Sequence, residues 1–158
     1  MAVTELVEIS QALRPGSRLM GLDLGSKTIG LALSDVTLMI ASPFQLIKRS
    51  KFTADAKKLE SLIDDYDVGG LILGLPFNMD GSEGPRCQST RQFASNLLAR
   101  RDIALSFWDE RLSTVAVQRV LIEQADMNRK RRAEVVDKAA ASYILQGALD
   151  AMARMPRL

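Results

Sequence analysis

Apolar residues come in short blocks along this chain, and the spacing within each block separates strands from helices. Leu19 to Leu24 is nearly continuous, broken by Asp23, and Gly25-Ser26-Lys27 follows as a turn. Ile29 to Ser34 is a second short strand, so the pair predicts a hairpin. Residues 38–48, with Ile40, Phe44, Leu46 and Ile47, supply a third strand, which Pro43 places at an edge or a bulge. From Thr53 to Tyr66, apolar Ala56, Leu59, Leu62, Ile63 and Tyr66 fall at helical spacing. Val68 to Leu75 is an apolar run too short for a helix and stopped by Pro76, the pattern of a buried parallel strand. A polar loop from Asn78 to Pro85 leads into a second helix over about 86–101, with Phe93, Ala94, Leu97 and Leu98 on its buried stripe. Ile103 to Trp108 is a fifth strand. Ser113 can cap a third helix, and a fourth runs over about 133–153 after the basic loop Asn128 to Arg132.

Early strands followed by alternating helix and strand predict an α/β fold, a mixed five-stranded sheet flanked by helices. Residues 1–17 read as an N-terminal extension closed by the breaker Arg14-Pro15-Gly16-Ser17, with regular structure starting at Arg18. At 158 residues, the remaining 18–158 make one domain. Apolar residues at 47% and charged residues at 25% are ordinary for a soluble protein. No apolar run approaches the roughly 18 residues of a membrane span. The first residues, with Glu5 and Glu8, do not form a signal peptide. A single cysteine, Cys87, cannot close an internal disulfide, so the expected compartment is the reducing cytoplasm.

The chain has no histidine, which removes His-based catalysis and any zinc site that needs imidazole. Carboxylates, one thiol, hydroxyls and lysines remain as reactive groups. Three of the carboxylates stand where a fold favours apolar residues. Asp23 lies inside the first strand on the face of Leu19 and Gly21, where a lone carboxylate is costly unless it meets a cation or is capped by the turn amides of Gly25 and Ser26. Glu110 follows the last strand, at the carboxyl end where open α/β sheets bind ligands. The plainer alternative is an exposed turn residue paired with Arg111. Asp137 sits at the edge of the last helix's apolar stripe of Val136, Ala140, Tyr143, Ile144, Gly147 and Ala148. Small Ala139, Ala140 and Ala141 would let that helix approach the sheet closely; the alternative for Asp137 is a pair with Lys138 or a nearby arginine.

Brought together, three carboxylates repel unless cations intervene. Mg²⁺ or Mn²⁺ answers this, because hard cations take oxygen ligands, and a metal pair roughly 3.5–4 Å apart would activate water for attack on a phosphodiester. This chemistry needs no histidine.

The residues then match a known family. Gly21-Leu22-Asp23-Leu24-Gly25-Ser26-Lys27-Thr28-Ile29-Gly30-Leu31-Ala32-Leu33-Ser34-Asp35 resembles the opening motif of the YqgF family of proposed Holliday junction resolvases or pre-16S ribosomal RNA nucleases. Gly74 to Gly84 (GLPFNMDGSEG), Asp109 to Thr114 (DERLST) and Val136 to Ala141 (VDKAAA) resemble its second, third and fourth signatures, in order, so the likeness covers roughly 18–153. The resemblance implies a ribonuclease H-like fold, with Asp23, Glu110 and Asp137 as metal-binding catalytic acids. It also implies processing of the 5′ end of the small-subunit ribosomal RNA precursor.

For nucleic-acid contact the candidates are Lys27 beside Asp23, Asn78 with Ser82 in the loop after the buried strand, Arg111, and the cluster Arg129-Lys130-Arg131-Arg132 ahead of Asp137. Each has a plainer reading as a solvated or turn-forming residue, as do Lys48-Arg49-Ser50-Lys51 and Arg100-Arg101. Trp108 could stack a base but suits a core, and Cys87 reads as incidental. The expected partner is structured RNA, such as pre-16S rRNA, or branched DNA, with no membrane and a monomer or weak homodimer. Against the nuclease stand a resolvase of four-way junctions, a non-cleaving nucleic-acid-binding module aiding transcription or ribosome assembly, and an actin-like ATPase, for which the chain is too short.

Overall fold

The computed structural model describes residues 3–112 and 129–155; for 129–137 it describes the backbone and not the side chains. The third expected helix, from Ser113, lies outside the described residues. In chain order the elements are α1 (Leu6–Ala12), β1 (Arg18–Leu24), β2 (Thr28–Ser34), β3 (Ala41–Lys48), α2 (Phe52–Asp65), β4 (Val68–Leu75), α3 (Pro85–Arg100), β5 (Ala104–Asp109), a 3₁₀ turn (Glu110–Leu112) and α4 (Arg129–Ala153).

The strands form one sheet in the order β3-β2-β1-β4-β5. The β1–β2–β3 meander is antiparallel, while β1, β4 and β5 run parallel, joined through helices as parallel pairing requires. The register sets Leu22 beside Leu73 and Gly74 beside Trp108, so the carboxyl ends of β1, β4 and β5 share one rim. Pro43 lies in the edge strand β3, where the register to β2 shifts between Leu31 and Ala32, so it is at an edge and beside an irregularity. At the other edge, the Thr4 backbone N–H donates to the Leu105 carbonyl at 2.8 Å.

Side-chain alternation divides the core in two. Met20 and Leu22 of β1 and Leu71 and Leu73 of β4 pack with Leu59 and Ile63 of α2 and Phe93 and Leu97 of α3. On the opposite face Leu19 and Ile72 pack with Trp108 and with Ala140, Ala141, Ile144, Leu145 and Ala148 of α4. A Cβ added at Gly21 would stand 2.7 Å from Leu145 Cβ and 2.8 Å from the Ala141 carbonyl oxygen. The helix therefore rests almost on the strand backbone, as its run of alanines suggests. Gln146 ties the same helix to the β2–β3 turn, accepting from Ala41 N–H at 2.8 Å and donating to Met39 O at 3.0 Å.

Two expectations about helices are corrected. Regular structure begins before Arg18: α1 buries Ile9 against the α4 side of the sheet, a contact that so short a helix needs for stability and that its own sequence does not announce. Arg129 to Arg132 are helical rather than a loop, since α4 starts at Arg129. Arginine and lysine are good helix formers, and a charge run does not by itself break a helix.

Two outcomes follow for stability. Gly21→Ala should cost about 1–3 kcal/mol, as overpacking does, because both obstructing atoms belong to a helix backbone or its Cβ; urea denaturation measures it. The Asp35 carboxylate accepts from Ile40 N–H at 3.0 Å, from the Thr37 hydroxyl, and from Met39 N–H at 2.8 Å, which lowers its pKa to about 2. Its contribution to the β2–β3 turn should be complete above the ordinary carboxylate range and disappear only as pH falls through about 2. A carboxyl ¹³C titration should give that midpoint.

Candidate active site

Asp23 and Glu110 both lie at the rim where β1, β4 and β5 end. Asp23 shares the face of Leu19 and Gly21, turned toward α4, and is 3% exposed. Glu110 opens the 3₁₀ turn directly after β5 and is 9% exposed. Strand β4 separates β1 from β5, which sets their backbones roughly 10 Å apart. Gly74 of β4, one step beyond the Leu22–Leu73 pair and so level with Asp23, occupies the gap between them. It contributes no side chain, and the space is used: an added Cβ would collide with Ile144 Cδ1 and stand 3.2 Å from Glu110 Cγ. Glu110 thus lies over the β4 backbone, on the side where Asp23 stands.

The Gly25 N–H donates to the Thr28 carbonyl at 2.9 Å and closes the turn after Asp23. The plainer reading of Glu110, an exposed residue paired with Arg111, does not fit. Arg111 turns to Asp109, with Nη2 2.7 Å from Oδ2 and Nε 3.1 Å from Oδ1, and Glu110 is buried rather than exposed. That pairing holds the Asp109 carboxyl below its ordinary pKa. Arg111 also lies 5.2 Å from the centre of the Phe77 ring, and its Nη1 is 3.2 Å from where a Gly81 Cβ would be, so it fastens the 77–82 loop to the end of β5.

Asn78 helps to shape that loop: its Nδ2 donates to Ser82 Oγ at 3.0 Å and its N–H to Ser82 O at 2.9 Å. Lys27 is exposed on the β1–β2 turn. Arg100 and Arg101 pair with Glu60 and Asp64 at 2.8 and 2.6 Å, a self-neutralised surface. Trp108 is core, its indole against Gly147. Cys87 is buried in α3, and burial raises its thiol pKa. The side chains of Asp137, Arg129, Lys130, Arg131 and Arg132 lie outside the description, although their backbones belong to α4. Asp137 precedes Ala141 by one helical turn, and the Ala141 carbonyl is the atom that abuts Gly21.

Among the described residues no cluster of three or more potential metal ligands occurs. Even so, Asp23 and Glu110 supply an all-oxygen donor set above a floor cleared by Gly74, which fits a hard divalent cation such as Mg²⁺ or Mn²⁺. The role of Gly74 was not read from the sequence, where it sits unmarked in an apolar run. The available signal was a glycine inside a strand, which indicates close approach without naming the neighbour.

A family model described as "RuvX: Holliday junction resolvase" matches residues 17–151. A Rhodospirillum rubrum protein named "Putative pre-16S rRNA nuclease" is 60% identical over 154 residues, 98% of this chain and 96% of its own length. One of the same name from Paramagnetospirillum magneticum is 61% identical over 150 residues, 95% of this chain and 96% of its own. Among solved structures, T. thermophilus RuvC in complex with a Holliday junction substrate aligns with TM-score 0.53 and 10% identity, over 87% of this chain and 96% of that one. The yeast mitochondrial Holliday junction resolvase Ydc2 aligns with TM-score 0.50 and 11% identity, over 94% and 85%. Likeness at such identities shows the fold, the ribonuclease H-like architecture expected from the motifs.

Gly74→Ala should displace Glu110 and weaken Mn²⁺ binding by about tenfold, the scale of a disturbed support around metal ligands. Calorimetric titration measures it, and an unchanged affinity would show that Glu110 holds its place without the glycine.

Proposed function

Because the chain belongs to the RuvX family of Holliday junction resolvases, whose relatives at about 60% identity are named as pre-16S rRNA nucleases, we propose that it hydrolyses phosphodiester bonds with divalent metal held by Asp23, Glu110 and Asp137. The observation that carries this reading is the burial of Asp23 and Glu110 at the carboxyl rim of the parallel strands, with Glu110 lying over Gly74. When bound, Mg²⁺ or Mn²⁺ supplies charge stabilisation and a water acidic enough to attack at neutral pH. The chain's own part is to hold the carboxylates on strand ends stiffened by the sheet and by α4, so that little reorganisation is needed during reaction.

The substrate we assign is the 5′ end of the small-subunit ribosomal RNA precursor, in keeping with the names of the near full-length relatives. Lys27, Asn78, Arg111 and the Arg129–Arg132 cluster are the groups we place along the nucleic-acid path; for Asn78 and Arg111 the role is to hold the 77–82 loop against β5. The family description favours a second reading, cleavage of four-way DNA junctions. A two-fold junction asks for two copies of the chain, whereas an RNA end asks for one.

Cleavage of a 5′-extended 16S precursor and of a synthetic four-way junction, each with Mg²⁺ or Mn²⁺, tests both. Asp23→Asn should lower the rate on the true substrate by at least about 10²-fold while leaving the melting temperature near that of the unaltered chain. Equal cleavage by both proteins on both substrates would leave only background nuclease and overturn the assignment.

A further inference from the structure

On the face of the sheet opposite the acids, a cleft of about 210 Å³ opens beside the same strand end. It is lined by Leu24, Gly25 and Ser26 of the β1–β2 turn, by Arg49, and by Pro85, Arg86, Ser89 and Thr90 of the first turns of α3. Arg49 Nη1 donates to Gly25 O at 2.7 Å, and Arg86 Nη2 donates to Leu24 O at 3.3 Å. These are the two carbonyls that follow Asp23 in the chain.

The two arginines differ from four others on the surface. Arg91, Arg100, Arg101 and Arg111 each pair with a carboxylate. Among the described residues no carboxylate meets Arg49 or Arg86, whose bonds to Gly25 and Leu24 go to neutral carbonyl oxygens. A guanidinium carries five N–H donors, so one bond to a carbonyl leaves most of its capacity and all of its charge. Two such cations converge on a small concavity with the hydroxyls of Ser26 and Ser89 on its walls.

Arg49 is also fixed in place. Its N–H donates to Lys27 O at 2.8 Å, and the neighbouring Ser50 N–H and hydroxyl both donate to Asp55 Oδ1 at 3.1 Å. Asp55 is itself 2% exposed. The guanidinium stands 5.9 Å from the centre of the Phe93 ring. Planar, bidentate donors held in advance suit a tetrahedral oxyanion.

We propose that this cleft binds a phosphate of the nucleic-acid strand that flanks the one at the acidic site. The inference rests on the nuclease reading and deepens it by assigning a second, sequence-independent contact. Leu24 and Gly25 lie one and two residues past Asp23, about 4–8 Å along the backbone. A separation on that scale puts the adjoining phosphate of the same strand in reach. A strand crossing the rim would thus have one phosphate at the acids and a neighbour between Arg49 and Arg86.

The test is fluorescence anisotropy of a labelled single-stranded RNA with metal chelated to prevent cleavage, read across a salt series. Arg49→Gln with Arg86→Gln should weaken binding about tenfold and flatten the slope of log affinity against log salt by about 0.7, one phosphate's share on a single strand. Ser89→Asp, at an exposed helix position on the cleft wall, should weaken binding with an unchanged melting temperature. It decides alone if the double variant melts early. Unchanged affinity and slope overturn the cleft while the nuclease reading stands. A slower cleavage rate with an unchanged slope also overturns it, since the arginines would then only hold the turn. No salt-dependent RNA binding by the unaltered chain overturns the nuclease reading, and the cleft with it.

Discussion

Helix α4 lies on strands that withdraw their side chains beneath it. At Gly21 the nearest helix atoms are a carbonyl oxygen and a Cβ, and at Gly74 the nearest are Ile144 and Glu110. Any L-residue at Gly21 would push the helix outward, and with it Ala140, Ala141, Ile144 and Leu145, which close one face of the core. At Gly74 the same absence of a Cβ leaves room for Glu110. Carboxylates on β1 and β5 are separated by a whole strand, and only a bare β4 backbone lets Glu110 lie over it. Packing and chemistry therefore depend on one steric condition, and a change that loosens the helix also loosens the site.

This arrangement is electrostatically demanding. Asp23 and Glu110 are both nearly excluded from water, and burying charge of one sign is costly unless a cation compensates. The strand ends supply rigidity, and Arg111 is committed to Asp109 and to the Phe77 loop. In the proposed function a hard metal ion would both relieve the repulsion and polarise a phosphodiester, so the cost of assembling the acids would be offset by that ion. The absence of histidine is consistent with this, because an all-oxygen set selects Mg²⁺ or Mn²⁺ over zinc.

Much of the fold was legible because its signals are local. The apolar run stopped by Pro76 gave β4 at its observed bounds, and the helical spacing from Ala56 to Tyr66 gave α2 to within a residue. Asp23 and Glu110 stood out as acids at positions a core disfavours, and their burial agrees with that reading. What was hidden depends on tertiary partners. Helix α1 is ordered by burying Ile9, which local periodicity cannot show. Gly21 and Gly74 matter because of what lies above them, and a sequence records no such neighbour. Arg49 looked like one of several surface charges, and Arg86 stood out not at all; what sets them apart is that both line one cleft and no carboxylate meets them there among the described residues, a fact about the folded surface.

The β1–β2 turn links the two faces of the rim. Asp23 points to the α4 side, while the carbonyls of the next two residues are held from the α3 side by Arg86 and Arg49. Because side chains alternate along a strand, a single register carries an acid to one face and leaves the adjoining backbone to cations on the other. A one-residue slip of β1 would exchange both, sending Asp23 into the apolar layer of Leu22, Leu73 and Phe93. Such a slip is opposed at several points: Gly21 must stay under Ala141, Leu22 beside Leu73 and Leu31, and Ser34 Oγ must accept from Leu19 N–H at 2.9 Å. The separation of negative and positive groups at this rim is thus set by strand register, and the core that fixes the register also fixes where a phosphate chain would have to cross.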